Sequence, residues 1–141
     1  MILQNYRIVR RLPFGFTGDW GKVYKRYTFD TEVTTEKLDI IPYKQNNYVC
    51  TGQKVQFKIV DDMTGSTNTQ ASNLVFSGSV TVQTTDAYFD TTTKQYYCIA
   101  QPDDIVFLFG QYWMVSDIRI MTKYSPAKQQ FFNLGLGTIM L

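Results

Sequence analysis

Residues 102–120, PDDIVFLFGQYWMVSDIRI, constrain the fold of this chain most. Ile105 to Phe109 is a short run rich in β-branched and aromatic residues, and Tyr112 to Val115 is a second. Both types favour strands. Gly110 and Gln111 lie between them, and glycine reaches φ > 0 without steric cost, which suits the first central position of a type II′ hairpin turn. Pro102, Asp103 and Asp104 start the first arm from a turn. The arms are apolar at nearly every position, so both faces of the hairpin are expected to be covered. One face meets the core, and the other meets either another part of the chain or another subunit.

The rest of the chain supports an all-β reading. Val55, Phe57 and Ile59 alternate with Lys54, Gln56 and Lys58, the pattern of a strand with one face buried and one in water. Val80 and Val82 face one way, with Ser79, Thr81 and Gln83 facing the other, and Gly78 marks a bulge or a break. Residues 22–29, 48–50, 95–100 and 130–136 read as further strands. Asp117 to Met121 extends the second arm of the hairpin. Residues 86–94 read as a loop, residues 44–47 as a polar turn, and residues 30–41 as either an extended segment or a short helix. Residues 61–73, DDMTGSTNTQASN, have no hydrophobic period and form a long flexible loop. The expected fold is one domain over residues 1–141, a small antiparallel β-barrel or sandwich with long inserted loops and an extended N-terminal arm. No run approaches the ~20 apolar residues that span a bilayer, and no membrane partner is expected.

Charge is unevenly placed. The chain carries +2 in total. Residues 1–26 hold Arg7, Arg10, Arg11, Lys22, Lys25 and Arg26 against Asp19 alone, leaving a mildly acidic body. Such an end is either an arm that meets an acidic surface or phosphate backbone, or a solvated edge. Residues 13–21, PFGFTGDWG, read as a loop whose Phe14, Phe16 and Trp20 either fold back on the core or anchor a partner.

Catalytic signals are missing from the sequence. Without histidine there is no Ser-His-Asp or Cys-His nucleophile arrangement. Cys50 and Cys98 cannot form a four-thiolate zinc site and read as buried small hydrophobes. The pairs Asp61-Asp62 and Asp103-Asp104 read as turn starters, because neighbours on a strand point to opposite faces. No enzyme activity, cofactor or metal is expected. The order of charges at the amino end lacks a signal-peptide pattern, so assembly in a cytoplasm is expected.

The order of features from Ser79 to Leu136 resembles the small head-closure or stopper proteins at the head-to-tail interface of tailed bacteriophages. Thr84-Thr85-Asp86 ends one strand, and Pro102-Asp103-Asp104 opens the next. Asp104, Val106, Gly110, Trp113, Val115 and Ile118 fill the pattern D-x-V-x-x-x-G-x-x-Y/W-x-V-x-x-I approximately. The resemblance implies a virion protein assembled in the host cytoplasm, forming a homo-oligomeric ring between a portal or adaptor protein and a tail protein, near packaged DNA. Its contacts would come from Arg7, Arg10, Arg11, Phe14, Phe16 and Trp20, from Thr64 and Gly65 in the long loop, from Asp104 and Trp113 in the hairpin, and from Leu141. Three alternatives stay open: another tail-completion or baseplate role, a single-strand nucleic-acid-binding barrel using Tyr24 to Phe29, and a carbohydrate- or protein-binding module using Trp20 and Trp113.

Overall fold

The alternating stretches become strands in a computed structural model that describes residues 3–11, 18–27, 39–60, 67–68, 75–76, 78–122 and 130–141. A 3₁₀ turn, Leu3–Tyr6, precedes β1 (Asp19–Tyr27), β2 (Ile40–Tyr43), β3 (Asn46–Ile59), β4 (Thr67–Asn68), β5 (Val75–Phe76), β6 (Ser79–Thr84), β7 (Ala87–Asp90), β8 (Gln95–Cys98), β9 (Ile105–Leu108), β10 (Gln111–Thr122) and β11 (Gln130–Thr138). The fold is all-β and sandwich-like. Seven strands form an antiparallel sheet in the order β1-β9-β10-β11-β6-β3-β2, and β1 pairs with β3 as well. The pairs β4–β5 and β7–β8 form two-stranded sheets.

The core follows the alternation read from the sequence in β3 and β6, and β11 repeats it. Val55 and Phe57 of β3, Val80 and Val82 of β6, and Phe132, Leu134 and Leu136 of β11 point inward to meet Val23, Val106, Trp113 and Val115. The hairpin of β9 and β10 serves two clusters. Val106 and Leu108 enter the main core, whereas Ile105 joins Tyr24, Ile41, Tyr48 and Cys50 on the opposite face. The second face is therefore covered in part by this chain. Gly21 lets β1 lie close to β9, because a Cβ there would sit 2.7 Å from the Phe107 carbonyl oxygen.

Several expectations need correction. The β9–β10 turn is Phe109-Gly110, one residue earlier than expected, since Gln111 pairs with Leu108. Both turn residues have positive φ, 55° and 71°, which makes a type I′ turn. This register aligns Val106 with Trp113, and the Trp113 indole N–H donates to the Leu108 carbonyl at 2.9 Å. Residues 86–94 contain a strand and a turn. Asp90 opens the turn by accepting the Thr92 and Thr93 amides at 2.7 and 3.1 Å, and Lys94 takes the left-handed position at φ 57°. Asp19 to Gly21 belong to a strand rather than a loop, and the short β4–β5 pair interrupts the stretch expected to be structureless.

The extended N-terminal arm is also corrected. Residues 3–11 form a strap docked on the body. Ile8 N–H donates to Gln53 Oε1 at 2.7 Å, and Gln53 Nε2 donates to the Tyr6 carbonyl at 2.8 Å. Val9 N–H donates to the Ala87 carbonyl and Ala87 N–H to the Arg10 carbonyl, both at 2.9 Å. Tyr6 and Ile8 pack against the main core. Their apolar contact and these four bonds outweigh the entropy of a free arm.

Candidate functional site

The strap brings cations and aromatic rings onto one surface. Val9 alternates away from the core and is 56% exposed. Arg10 and Arg11 diverge beyond it. The Arg10 guanidinium lies 4.9 Å from the centre of the Tyr96 ring, and Tyr96 meets Phe89 edge to face at 5.0 Å. Arg11 lies 5.7 Å from the centre of the Trp20 ring. Trp20 is 53% exposed. Val9, Arg10, Arg11, Trp20, Gln53 and Lys54 line an open groove of about 670 Å³.

Asp86 fixes this geometry from below. Its carboxylate is buried, accepts Arg11 Nε at 3.0 Å, and accepts the Gln56 amide at 3.2 Å. Arg11 Nη2 also donates to the Lys54 carbonyl at 2.9 Å. Burial pushes the Asp86 carboxyl above its ordinary range, while Arg11 and the Gln56 amide pull it back. A short residue between β6 and β7 therefore clamps the strap to β3.

The strand register continues the surface. Lys22 lies directly opposite Lys54, and Trp20 opposite Gln56. Lys54 and Lys58 share the solvent face of β3. Like charges in direct opposition weaken a sheet pair. Lys22 is partly compensated by Asp39 at 3.6 Å, whose same oxygen accepts the Tyr24 hydroxyl at 2.5 Å.

Asp104 and Trp113 are interior residues. Asp104 pairs with Lys25 and accepts the Gln101 amide at 2.8 Å. The Lys25 ammonium also lies 4.5 Å from the centre of the Tyr6 ring, so the strap covers this pair. Burial raises the Asp104 carboxyl, with Lys25 opposing the shift. Trp113 is fully buried, so it offers no face to a carbohydrate or protein partner. Tyr24 and Lys25 are likewise inside, which removes them from a nucleic-acid face on β1. The packing that hides them is the pairing of β1 with both β3 and β9.

An apolar surface lies outside β9 and β10 and adjoins the cationic one, since Phe107 pairs with Lys22. Phe107, Tyr112, Met114 and Ile139 are half-buried against the second cluster. Met140 and Leu141 follow, 91% and 55% exposed. Arg7 is exposed on the strap. Phe14, Phe16, Thr64 and Gly65 lie outside the described residues. Both cysteines are buried and unbridged, and burial drives the Cys98 thiol up to about 12. Among the described residues no metal-binding cluster occurs, and no helix is long and apolar enough to cross a membrane.

The structure thus gathers Arg10, Arg11 and Trp20 and separates them from Asp104, Trp113 and Leu141. The sequence reading missed Phe89, Tyr96 and Val9 as members of the surface. Beyond the basic amino end and Trp20, the solvent-facing alternation of Lys54 and Lys58 was a visible signal. Comparison with family models, curated proteins and solved structures finds no match to the chain.

Proposed function

We propose that the chain is a structural subunit of a tailed-phage particle, a head-closure protein that forms a ring between the portal or its adaptor and the tail. The observation that carries this reading is the apolar surface outside β9 and β10, where half-buried Phe107, Tyr112, Met114 and Ile139 run into exposed Met140 and Leu141. A second subunit or a neighbouring ring seated there would complete the cluster's burial. The strap surface presents a different chemistry, cationic and aromatic. The two patches adjoin where Lys22 pairs with Phe107, and a contact between different patches of neighbouring copies is head-to-tail, which closes into a ring when repeated around an axis.

The pairing circuit β1-β9-β10-β11-β6-β3, returned to β1, supports describing the folded sheet as a small closed barrel. The residues that carry the family resemblance hold its hairpin. Val106, Trp113 and Val115 fill the core, Gly110 takes the turn, and Asp104 pairs with Lys25.

The test is sedimentation of labelled chain with tail-less, DNA-filled heads of the encoding phage. Saturable binding with reduced DNA leakage is expected. No binding to heads, whether with binding to isolated tails instead or with binding to neither particle, would overturn head closure.

A further inference from the structure

We propose that the strap surface binds a single strand of nucleic acid, with phosphates on Lys22, Lys54 and Lys58 and a base stacked on Trp20. This inference goes beyond the head-closure reading and does not depend on it.

Three observations lead to it. The first is charge. Lys22 and Lys54 oppose each other across β1 and β3, and Lys58 follows on the same face. Lys54 and Lys58 stand about 13 Å apart along the strand. A polyanion bridging these ammonium groups would remove the repulsion that their register creates. Among the described residues, Asp39 contacts Lys22, and Asp86 is buried beneath Arg11. Asp19 is exposed at the start of β1.

The second observation is the exposed aromatic face. Trp20 is the large side chain on this part of β1, it is half in water, and the Arg11 guanidinium is held beside it by Asp86 and the Lys54 carbonyl. Arg11 is thereby fixed before any ligand arrives. An indole flanked by pinned and mobile cations is the combination that holds unpaired bases, since every base offers a π-face and every linkage a phosphate.

The third is continuity. Arg10, Tyr96 and Phe89 extend the alternation of cation and ring past the strap. A duplex hides its base faces, so exposed rings favour a single strand. An acidic peptide would meet the cations and leave the stacking face without a matching group.

The test uses the purified full chain, a 12-nucleotide oligothymidylate, a duplex of the same length, and oligoglutamate. Trp113 is buried and Trp20 is exposed, so quenching of tryptophan emission reports Trp20. Oligothymidylate is expected to quench it. If the three lysines neutralise about three phosphates, affinity should fall roughly 20-fold between 50 and 200 mM salt, from a slope of about 0.7 per phosphate. The solvent-facing double substitution Lys54→Gln/Lys58→Gln should cut that slope to about one third with an unchanged circular dichroism spectrum. Trp20→Leu should abolish quenching and weaken binding measured by anisotropy about tenfold. Equal affinity for oligoglutamate, tighter binding of duplex without quenching, or insensitivity to the lysine pair would overturn the proposal. Failure here leaves head binding untouched, and failure to bind heads leaves this result standing.

Discussion

Lys25 and Asp104 place opposite charges in an interior that would reject either alone. Breaking a buried pair leaves one uncompensated charge, at a cost of about 3–5 kcal/mol. Lys25→Met should lower stability by that order in urea denaturation. The double change Lys25→Met/Asp104→Leu should recover a large part of the loss, because it removes both desolvation costs. If the double variant is as unstable as the single one, the pair's hydrogen bond to Gln101 matters more than its charge. The pH response has a definite sign. Asp86 titrates above the ordinary 3.8, chiefly through burial. Between 3.8 and its native value the folded chain binds more protons than the unfolded chain. Its contribution is therefore fullest below 3.8 and is lost as pH rises through the native value. Urea midpoints of wild type should fall relative to Asp86→Asn as pH is raised through that window. A relative rise would mean that Arg11 outweighs burial and holds Asp86 low.

The elements show which local signals could be read from sequence. The alternation in β3 and β6 gave both their existence and their buried faces, since side chains in a strand must alternate, whereas residues 130–136 read as a strand with no face assigned. The hairpin of β9 and β10 was legible, yet its turn was misplaced by one residue. Phe109 at φ 55° is a position that sequence preference assigns to glycine or asparagine. Core register overrode that preference by aligning Val106 with Trp113. Gly110→Ala should cost about 1–2 kcal/mol through its positive φ alone, because a Cβ there meets nothing within 4 Å. A thermal shift with no loss would contradict the type I′ turn. The strap was not legible, since it depends on pairs such as Arg11 with Asp86, 75 positions apart. Arg11→Ala should accelerate amide exchange at Val9 and Ala87 roughly tenfold, allowing for an arginine that is half exposed. Unchanged exchange would mean that Gln53 and the packing of Tyr6 suffice to hold the strap.

At the scale of the whole molecule, sequence yielded the all-β class and a basic amino end, but not where that end goes. Arg10, Arg11 and Trp20 were singled out as separate features of an arm and a loop. Folding joins them to Lys54, Tyr96 and Phe89, which lie on strands far along the chain. Asp104 and Trp113 drew attention for the same chemical character that the interior uses. Charge and an indole N–H can be satisfied by Lys25 and the Leu108 carbonyl as well as by a partner. Folding yields a small sheet with a cationic, aromatic patch beside an apolar one. The proposed place of the chain at a head–tail junction is tested most directly by imaging. If the chain is the proposed head-closure protein, antibody against it, applied to intact virions of its source phage and viewed by electron microscopy, should label a single ring at the head–tail junction. Label at the baseplate or tail tip, or particles that carry none, would contradict it.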